Sequence, residues 1–237
     1  MDDEKIQLNA LTYAKEHRNK IAKELTDMNR YSPDARPVSI FMAGSPGAGK
    51  TEFSKNLIEL LGKDTHRIIR IDGDEIREFF PDYSGTNSFL FQKSISLIVD
   101  KIHDLALSQK QNFLMDGTLS NYDKARQNIQ RSLKRERTVL VFYLYQKPEI
   151  AWKFTMEREI VEGRNIPQEA FVDKFLAAQS NVERILEEFG AKISVFLVKK
   201  NFETNKVENV IELEPNERPI DEYIEKRYTK NELEELL

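Results

Sequence analysis

The sequence predicts an α/β fold, in which a parallel sheet of about five strands is flanked by helices on both faces. Two observations lead to this prediction. Short runs of β-branched and aromatic residues alternate along the chain with longer stretches in which apolar residues have a helical spacing. The composition, 40% apolar and 32% charged, is typical of a folded globular protein and excludes a disordered chain.

The individual elements follow from these patterns in chain order. Residues 4–30 have the apolar spacing of a helix, and Pro33 and Pro37 then interrupt the pattern. Buried strands are predicted at 38–43, 67–72, 112–116, 138–145 and 193–198. Helices are predicted at 51–61, 87–110, 122–135, 148–161 and 168–189, and the charged tail after Pro215 is predicted to be helical as well.

Domain organisation and environment follow from what the sequence lacks. No segment has the composition of a linker, so we predict an N-terminal helical extension, 1–36, and one domain, 37–237. The net charge of −4 argues against binding nucleic acid by bulk charge, and the absence of cysteine excludes disulfides and thiolate chemistry. Without a signal-peptide pattern or an apolar run of about 20 residues, the chain is predicted to be cytoplasmic and free of the membrane.

A glycine-rich loop separates the first predicted strand from the helix that follows. Residues 44–51 fit the pattern G-x-x-x-x-G-K-[ST] in full. Its glycines allow backbone N–H groups to turn towards a phosphate, and the helix presents its positive N-terminus there. Lys50 is expected to reach the β- and γ-phosphates of ATP, and Thr51 to bind Mg²⁺. The predicted ATP site comprises Gly44, Ser45, Pro46, Gly47, Ala48, Gly49, Lys50, Thr51 and Glu52.

The loop alone does not separate kinases from other nucleotide hydrolases. GTPases read guanine with Asn-Lys-x-Asp after a late strand, and the nearest match, 205–208, ends in Glu208 and has no strand directly before it. Motor ATPases usually end the third strand with paired acids, whereas here Asp116 stands alone. A small-molecule kinase is therefore the predicted class.

Two carboxylates follow the second predicted strand. Asp72 and Asp74 lie at its carboxyl end, where ligands bind in open parallel sheets. We expect Asp72 to support Mg²⁺ through water and Asp74 to accept the proton of a substrate hydroxyl. The alternative is that Asp74 caps the next helix.

The order of these motifs resembles the zeta toxin family. The phosphate loop, Ile-Asp-Gly-Asp-Glu-Ile-Arg at 71–77, a long helix, Phe-Leu-Met-Asp-Gly-Thr at 113–118 and an arginine-bearing helix follow one another over roughly residues 38–189. Members of that family are P-loop kinases that phosphorylate the 3′-hydroxyl of UDP-N-acetylglucosamine. They are held inactive by an antitoxin protein or an extra N-terminal segment. The resemblance implies that this chain is the toxin of a toxin–antitoxin system.

The resemblance also implies roles for single residues. Asp74 matches the family's catalytic base, and Asp116 and Thr118 match its acid-Gly-Thr motif for substrate and metal. Asp100 matches an acidic position that binds the sugar. The predicted substrate-binding residues are Asp74, Arg77, Thr86, Asn87, Asp100, Asp116, Thr118 and Ser120, and the predicted metal site is Thr51, Asp72 and Asp116.

The chain departs from the family pattern at three of these positions. Glutamate is frequent where Asp116 and Asp100 stand, and an arginine that helps to hold substrate phosphate is common where Ser120 stands. For Thr86 and Asn87, helix capping is an alternative to substrate binding.

Two arginines complete the predicted catalytic set. Arg158 and Arg164 match the family's arginines and lie in a segment that resembles a lid, where they would stabilise the transferring phosphoryl group. The alternative is a solvated helix face on which they pair with nearby glutamates. The predicted catalytic residues are Lys50, Asp74, Arg158 and Arg164.

Three functions therefore remain open from the sequence. The leading one is an ATP- and Mg²⁺-dependent kinase of UDP-N-acetylglucosamine with an antitoxin partner. Ser120 in place of arginine motivates the second, a kinase of another acceptor such as a nucleotide, an antibiotic or a nucleic-acid end. The helix at 1–30 motivates the third, a nucleotide-gated binding module whose N-terminal segment covers the site or receives a partner.

Overall fold

One six-stranded sheet forms the centre of the described chain. The computed structural model describes residues 2–61, 67–163, 166–201, 206–215, 220–224 and 226–237. The strands are β1 (Val38–Ala43), β2 (Ile69–Asp72), β3 (Phe113–Asp116), β4 (Thr138–Tyr145), β5 (Ser194–Lys200) and β6 (Val207–Leu213). Their order is β2-β3-β1-β4-β5-β6, with β1 to β5 parallel and β6 antiparallel to β5. The predicted parallel α/β sheet is confirmed.

The sixth strand was not predicted. β6 is an edge strand, and most of its residues are exposed. A buried parallel strand is a continuous apolar run, whereas an exposed edge strand carries polar residues and lacks that signal. The sequence pattern therefore revealed the strands that are buried on both faces and missed the one that is not.

Six helices lie close to their predicted positions with differences at the ends. The tail predicted to be helical after Pro215 is α-helical over Lys230–Leu236 in the described residues, and the short helix Gly73–Arg77 was not predicted. The helices are α1 (Asp3–Leu25), α2 (Lys50–Leu61), α3 (Gly73–Arg77), α4 (Gln92–Ser108), α5 (Tyr122–Leu133), α6 (Pro148–Glu162), α7 (Gln168–Phe189) and α8 (Lys230–Leu236). The first helix ends before residue 30 because the Asp27 carbonyl accepts the N–H groups of Arg30 and Tyr31 in a turn. A 3-10 turn, Ser88–Phe91, precedes α4. No helix of the described chain is long and apolar enough to cross a membrane.

The strands bury both of their faces. In β1, Phe41 and Ala43 point to a large core shared with α1, α4, α5 and α7, whereas Ile40 and Met42 point to a smaller core covered by α2. This alternation is the period of two that a strand imposes. Helices on both faces leave the carboxyl ends of the parallel strands as the open edge, where the candidate site lies.

The N-terminal helix is packed into the larger core. α1 contacts α4, and its Ala10 and Ala14 are buried against that core. Small side chains at such positions allow two helices to approach closely. The division into an extension, 1–36, and a domain, 37–237, stays a prediction.

A buried histidine in α4 makes the free energy of unfolding depend on pH. His103 has its ring against the edges of Phe41 and Phe113, and burial together with Arg131 lowers its pKa from 6.5 to about 3. At pH values between about 3 and 6.5, His103 therefore binds a proton in the unfolded chain but not in the folded chain. The free energy of unfolding consequently falls as the pH falls below 6.5. We expect His103 to cost wild type about 1.4 kcal/mol of unfolding free energy per pH unit in this range, and His103→Gln to abolish that loss.

Urea unfolding of both proteins between pH 7.5 and pH 5 measures this contribution. For each protein, the change in unfolding free energy with pH is taken relative to its own value at pH 7.5. The difference between the two proteins then excludes the other titrating groups and the packing cost of the substitution. Parallel slopes for wild type and variant would contradict a neutral His103.

Candidate active site

A cleft of about 890 Å³ opens at the carboxyl ends of β1, β2 and β3. The phosphate loop forms one wall, the turns after β2 and β3 form the floor, and α6 with α7 forms the opposite wall. Predicted residues that line it are Pro46, Gly47, Gly49, Lys50, Thr51, Glu52, Asp72, Asp74, Arg77, Asp116, Thr118, Ser120 and Arg158. Side chains from distant parts of the sequence thus converge as the sheet topology requires.

The phosphate loop has the backbone geometry of an anion cradle. Gly44, Gly47 and Gly49 have positive φ angles of 138°, 71° and 79°, which few residues other than glycine adopt. α2 begins at Lys50, so its N-terminal N–H groups point into the same space. The Lys50 Nζ donates to the carbonyl oxygens of Gly44 at 2.9 Å and Ser45 at 2.6 Å. Its ammonium therefore lies at the mouth of the loop, next to the expected phosphate position.

The loop also contacts α6 at Gly47. A Cβ atom on Gly47 would lie 1.9 Å from the backbone oxygen of Ala151 and 2.8 Å from Thr155 Oγ1. Backbone atoms cannot yield to such a clash, so Gly47 allows α6 and the phosphate loop to touch.

Gly47→Ala is expected to lower the turnover number by about 100-fold, since a misplacement near 1 Å of a group that positions the substrate costs a rate factor of that size, and to weaken ATP binding as well. Initial rates and titration calorimetry with ATP measure the two effects, and Ser108→Ala is the control because Ser108 is an exposed residue of α4 that does not line the cleft. An ATP affinity of Gly47→Ala equal to that of the control would contradict this geometry.

Asp72 and Asp74, the two carboxylates of the turn after β2, have different structural roles. Asp72 is the N-cap of α3, because its Oδ1 accepts the backbone N–H of Asp74 at 2.8 Å. The alternative in which Asp74 caps the helix is therefore wrong. Asp74 instead faces the cleft, where its Oδ1 accepts from Arg77 Nη1 at 2.8 Å and its Oδ2 lies 3.9 Å from Arg158 Nη2. Two cations thus flank the carboxylate that we predicted as the base.

The turn after β3 is joined to the phosphate loop. The Gly44 N–H donates to the carbonyl of Thr118 at 3.2 Å, and the hydroxyls of Thr118 and Ser120 are 2.8 Å apart. Leu119 between them has a positive φ of 57°, and Asn181 of α7 donates to its carbonyl at 2.9 Å. A residue in this conformation persists where neighbouring contacts hold it, so α7 sets the shape of the turn.

Mg²⁺ fits this cleft as a partner of phosphate and not as the occupant of a protein cage. Asp116 and Asp72 are opposite each other in the pairing of β2 with β3, close to Thr51 in the cleft wall. Within the described residues, no group of three or more His, Cys, Asp or Glu side chains is arranged to hold a metal ion. Mg²⁺ commonly takes one or two carboxylates and completes its shell with water and substrate phosphate.

Asp72 is the less suitable of the two carboxylates for a metal. Its Oδ1 is engaged by the Asp74 N–H and its Oδ2 by Arg70 at 2.6 Å. Burial, followed by the neighbouring charges of Asp74 and Asp116, raises its pKa to about 6. We therefore place Thr51 and Asp116 as the residues that would face Mg²⁺, with Asp72 supporting the turn.

Several predicted residues lie elsewhere or outside the described part of the chain. Asp100 does not line the cleft, and its Oδ1 is 2.6 Å from Lys124 Nζ. Asn87 accepts from the Ser84 N–H at 3.0 Å and donates to the Asp82 carbonyl at 2.8 Å, so it organises its own loop and makes no capping bond to the 3-10 turn. Arg164 lies outside the described residues.

Thr86 does not line the cleft and lies next to the end of α6. A Cβ on Gly163, which follows α6, would be 3.7 Å from the Thr86 methyl group. The loop that carries Thr86 therefore approaches the end of α6. The substrate-binding roles predicted for Thr86, Asn87 and Asp100 stay predictions.

The site also contains cations that were not predicted. Lys200 ends β5 and is buried, with its Nζ 3.4 Å from Glu52 Oε2. A Cβ on Gly49 would be 2.3 Å from that Nζ, so the lysine touches the phosphate loop. Lys174 of α7 lines the cleft, and Arg70 of β2 binds both Asp72 and Asp116. The signal for Lys200 was its position at the carboxyl end of a parallel strand.

Comparisons with known proteins agree with this architecture. A family model described as Zeta toxin matches residues 21–210. The structure is similar to one from the PezAT chromosomal toxin–antitoxin system of Streptococcus pneumoniae, with 21% identity, 84% of this chain and 80% of that chain covered, and a TM-score of 0.64. It is also similar to a chain of the AvrRxo1-ORF1:-ORF2 complex, with 15% identity, 92% and 69% covered, and a TM-score of 0.60.

A further structure of the AvrRxo1 complex was solved with ATP. It shares 16% identity with this chain, covers 88% of this chain and 65% of that one, and has a TM-score of 0.59. At these identities, the likeness shows a shared fold.

Proposed function

Because the chain belongs to the zeta toxin family of P-loop kinases, we propose that it transfers the γ-phosphoryl group of ATP to the 3′-hydroxyl of UDP-N-acetylglucosamine. One observation carries the proposal. Asp74 lies between Arg77 and Arg158 in the same cleft as the phosphate loop. A carboxylate that can accept a hydroxyl proton, placed in one cleft with a phosphate cradle and with cations for the moving phosphoryl group, is suited to phosphoryl transfer to a hydroxyl.

The proposed reaction assigns a separate task to each wall of the cleft. The loop N–H groups and Lys50 bind the phosphates of ATP, and Mg²⁺, facing Thr51 and Asp116, would neutralise charge on the β- and γ-phosphates. The acceptor oxygen forms a bond to the γ-phosphorus while the bond from that phosphorus to the bridging oxygen breaks, and ADP leaves. Asp74 orients the hydroxyl and takes its proton.

The arginines would act on the moving phosphoryl group. Arg158 Nη2 lies 3.9 Å from the Asp74 carboxylate, so its charge is next to the oxygen that would attack. A cation placed where negative charge develops stabilises the transition state. Arg164 is assigned the same role on the sequence match alone. ATP as donor is in keeping with the predicted cytoplasmic location.

The acceptor end of the cleft supports a second candidate as well. Where an arginine is common in the family, Ser120 is bound to the hydroxyl of Thr118 at 2.8 Å and cannot supply a charge for a substrate phosphate. Arg77, Arg158 and Lys174 are cations that line the cleft outside the phosphate loop. A kinase of another nucleotide, an antibiotic or a nucleic-acid end therefore remains the runner-up.

We also propose a protein antitoxin as the partner. Related folds come from a toxin–antitoxin system and from a two-protein complex. At the end of α6, Ile160 and Val161 are each 84% exposed, and Val161 lines the cleft. By contrast, no described residue of α1 lines the cleft, which gives no support to a module gated by its N-terminal helix.

Mass spectrometry of reactions with Mg-ATP identifies the acceptor. Wild type is incubated with UDP-N-acetylglucosamine, with free nucleotides, with an aminoglycoside and with a nucleic-acid end, and Asp74→Asn serves as the inactive control. The proposal expects one added phosphoryl group on UDP-N-acetylglucosamine alone. Phosphorylation of a different acceptor would overturn the substrate and keep the kinase. ATP binding without any phosphorylated product would favour the binding module.

A further inference from the structure

Arg70, which has no part in the proposed reaction, is the centre of a cluster of charged side chains next to the cleft. Its Nη2 lies 2.6 Å from Asp72 Oδ2 and 2.5 Å from Asp116 Oδ2. Its Nε donates to Ser54 Oγ at 3.1 Å, and its Nη1 pairs with Glu75. The Arg70 side chain is only 10% exposed. One arginine therefore engages three carboxylates, two of which, Asp72 and Asp116, line the cleft.

These contacts occupy three of the four carboxylate oxygens of Asp72 and Asp116. Both Oδ2 atoms meet the same Nη2 of Arg70, and Asp72 Oδ1 accepts the backbone N–H of Asp74. The hydroxyl of Ser54 donates to Asp116 Oδ2 at 2.9 Å as well. Among the described contacts, Asp116 Oδ1 is the one oxygen of this carboxylate pair without a hydrogen bond.

The positive charge of Arg70 offsets the cost of burying the carboxylates of Asp72 and Asp116. Two carboxylates this deeply buried repel each other and lose hydration, and a cation between them offsets both costs. A guanidinium keeps its charge at every relevant pH and its planar fork fits carboxylates. Arg70 thus supplies inside the protein the positive charge that a divalent ion would otherwise bring to these acids.

We propose that Arg70 takes the place of a metal ion. Its guanidinium fixes Asp116 in position and prevents Mg²⁺ from binding to Asp72 and Asp116 in the absence of nucleotide. Mg²⁺ then binds together with ATP, because the phosphate oxygens of ATP replace the carboxylate oxygens that are already engaged in hydrogen bonds. This inference rests on the proposed function, since it concerns the Mg²⁺ of that reaction. Arg70 is a positioning residue and touches neither substrate.

Thermal unfolding in MgCl₂ without nucleotide tests the proposal on the full chain. Sodium chloride at matched ionic strength corrects for screening. Wild type is expected to show no Mg²⁺-specific shift. Arg70→Gln is expected to gain one of about 2–4 °C, the shift that about 1 kcal/mol of binding produces in a domain of this size. Arg70→Lys keeps the charge and is expected to remain insensitive to Mg²⁺.

Arg67→Gln is the matched control, because Arg67 is exposed and lies three residues before Arg70. The proposal is overturned if Mg²⁺ stabilises wild type as much as Arg70→Gln, or if Arg70→Gln gains nothing. If Arg70→Gln does not fold, calorimetric titration of wild type with MgCl₂ decides: binding without nucleotide as tight as binding with it contradicts the proposal.

Kinase activity is measured on the same samples to separate the two proposals. Wild type that phosphorylates its acceptor while Mg²⁺ already binds without nucleotide would overturn the role of Arg70 and leave the kinase intact. A protein that behaves as predicted in MgCl₂ but phosphorylates no acceptor would overturn the proposed function. Arg70→Gln is expected to lower kcat with little change in the KM for the acceptor, because it displaces Asp116 and leaves the acceptor contacts in place.

Discussion

Asp74→Asn is expected to lower the turnover number by about 10²–10⁴-fold, the range for loss of a general base, while ATP affinity stays near the wild-type value. Asparagine has nearly the shape of aspartate, and its amide oxygen can still accept from Arg77, which donates to Asp74 Oδ1 at 2.8 Å. It cannot take a proton from the acceptor hydroxyl. Initial rates with saturating Mg-ATP, together with calorimetric titration of ATP, measure the two quantities separately.

The structure makes this substitution selective. Asp72, not Asp74, caps α3, so the helix keeps its cap in the variant. Asp123→Asn, an exposed acid in the first turn of α5, is the matched control for loss of one negative charge. Equal losses of ATP affinity and turnover in Asp74→Asn would mean that Asp74 has a structural role.

Lys50→Met is expected to have the second large effect, on ATP binding and turnover together. The Lys50 Nζ lies on the carbonyl oxygens of Gly44 and Ser45 at the mouth of the phosphate loop. There it is placed to attract the β- and γ-phosphates and to follow the charge that develops during transfer. Removal of one such preorganised donor costs about 10²–10³-fold in kcat, and the ATP affinity falls as well because the ground state loses an ion pair.

The measurements for Lys50→Met are ATP titration and single-turnover rates with excess enzyme. Lys93→Met is the matched control, because Lys93 is an exposed lysine of α4 that does not line the cleft. Thermal unfolding of both variants shows whether they are folded. ATP affinity and rate at the wild-type level in Lys50→Met would place the nucleotide outside this loop.

The parallel sheet was predictable because short segments rich in β-branched and aromatic residues alternate with helical stretches. β6 was not predictable, since an exposed edge strand has no continuous apolar run. Helix ends also moved where a local turn competes with the helix, as at Asp27. Membership of the zeta toxin family, inferred from the order of motifs, is confirmed by the match over residues 21–210.

Within the site, residues next to a motif were easier to predict than residues far from one. The loop at 44–51 and Asp74 follow from local patterns, and all three glycines of the loop adopt the positive φ angles that the pattern requires. Lys200 reaches the site from the end of β5 and Arg70 from within β2, and no motif in the sequence distinguishes them from surface cations. Choosing between Asp72 and Asp74 as the cap needed atomic contacts, because either residue fits the helix start.

The most direct test of the central claim is a single-turnover reaction followed by phosphorus NMR. Limiting Mg-ATP is mixed with excess enzyme and saturating UDP-N-acetylglucosamine. We predict that, for wild type, ATP loss is matched by a new phosphomonoester on the 3′-oxygen of the sugar, and that Asp74→Asn forms it far more slowly. Release of inorganic phosphate at one rate with and without the nucleotide sugar, and no phosphomonoester, would contradict the account.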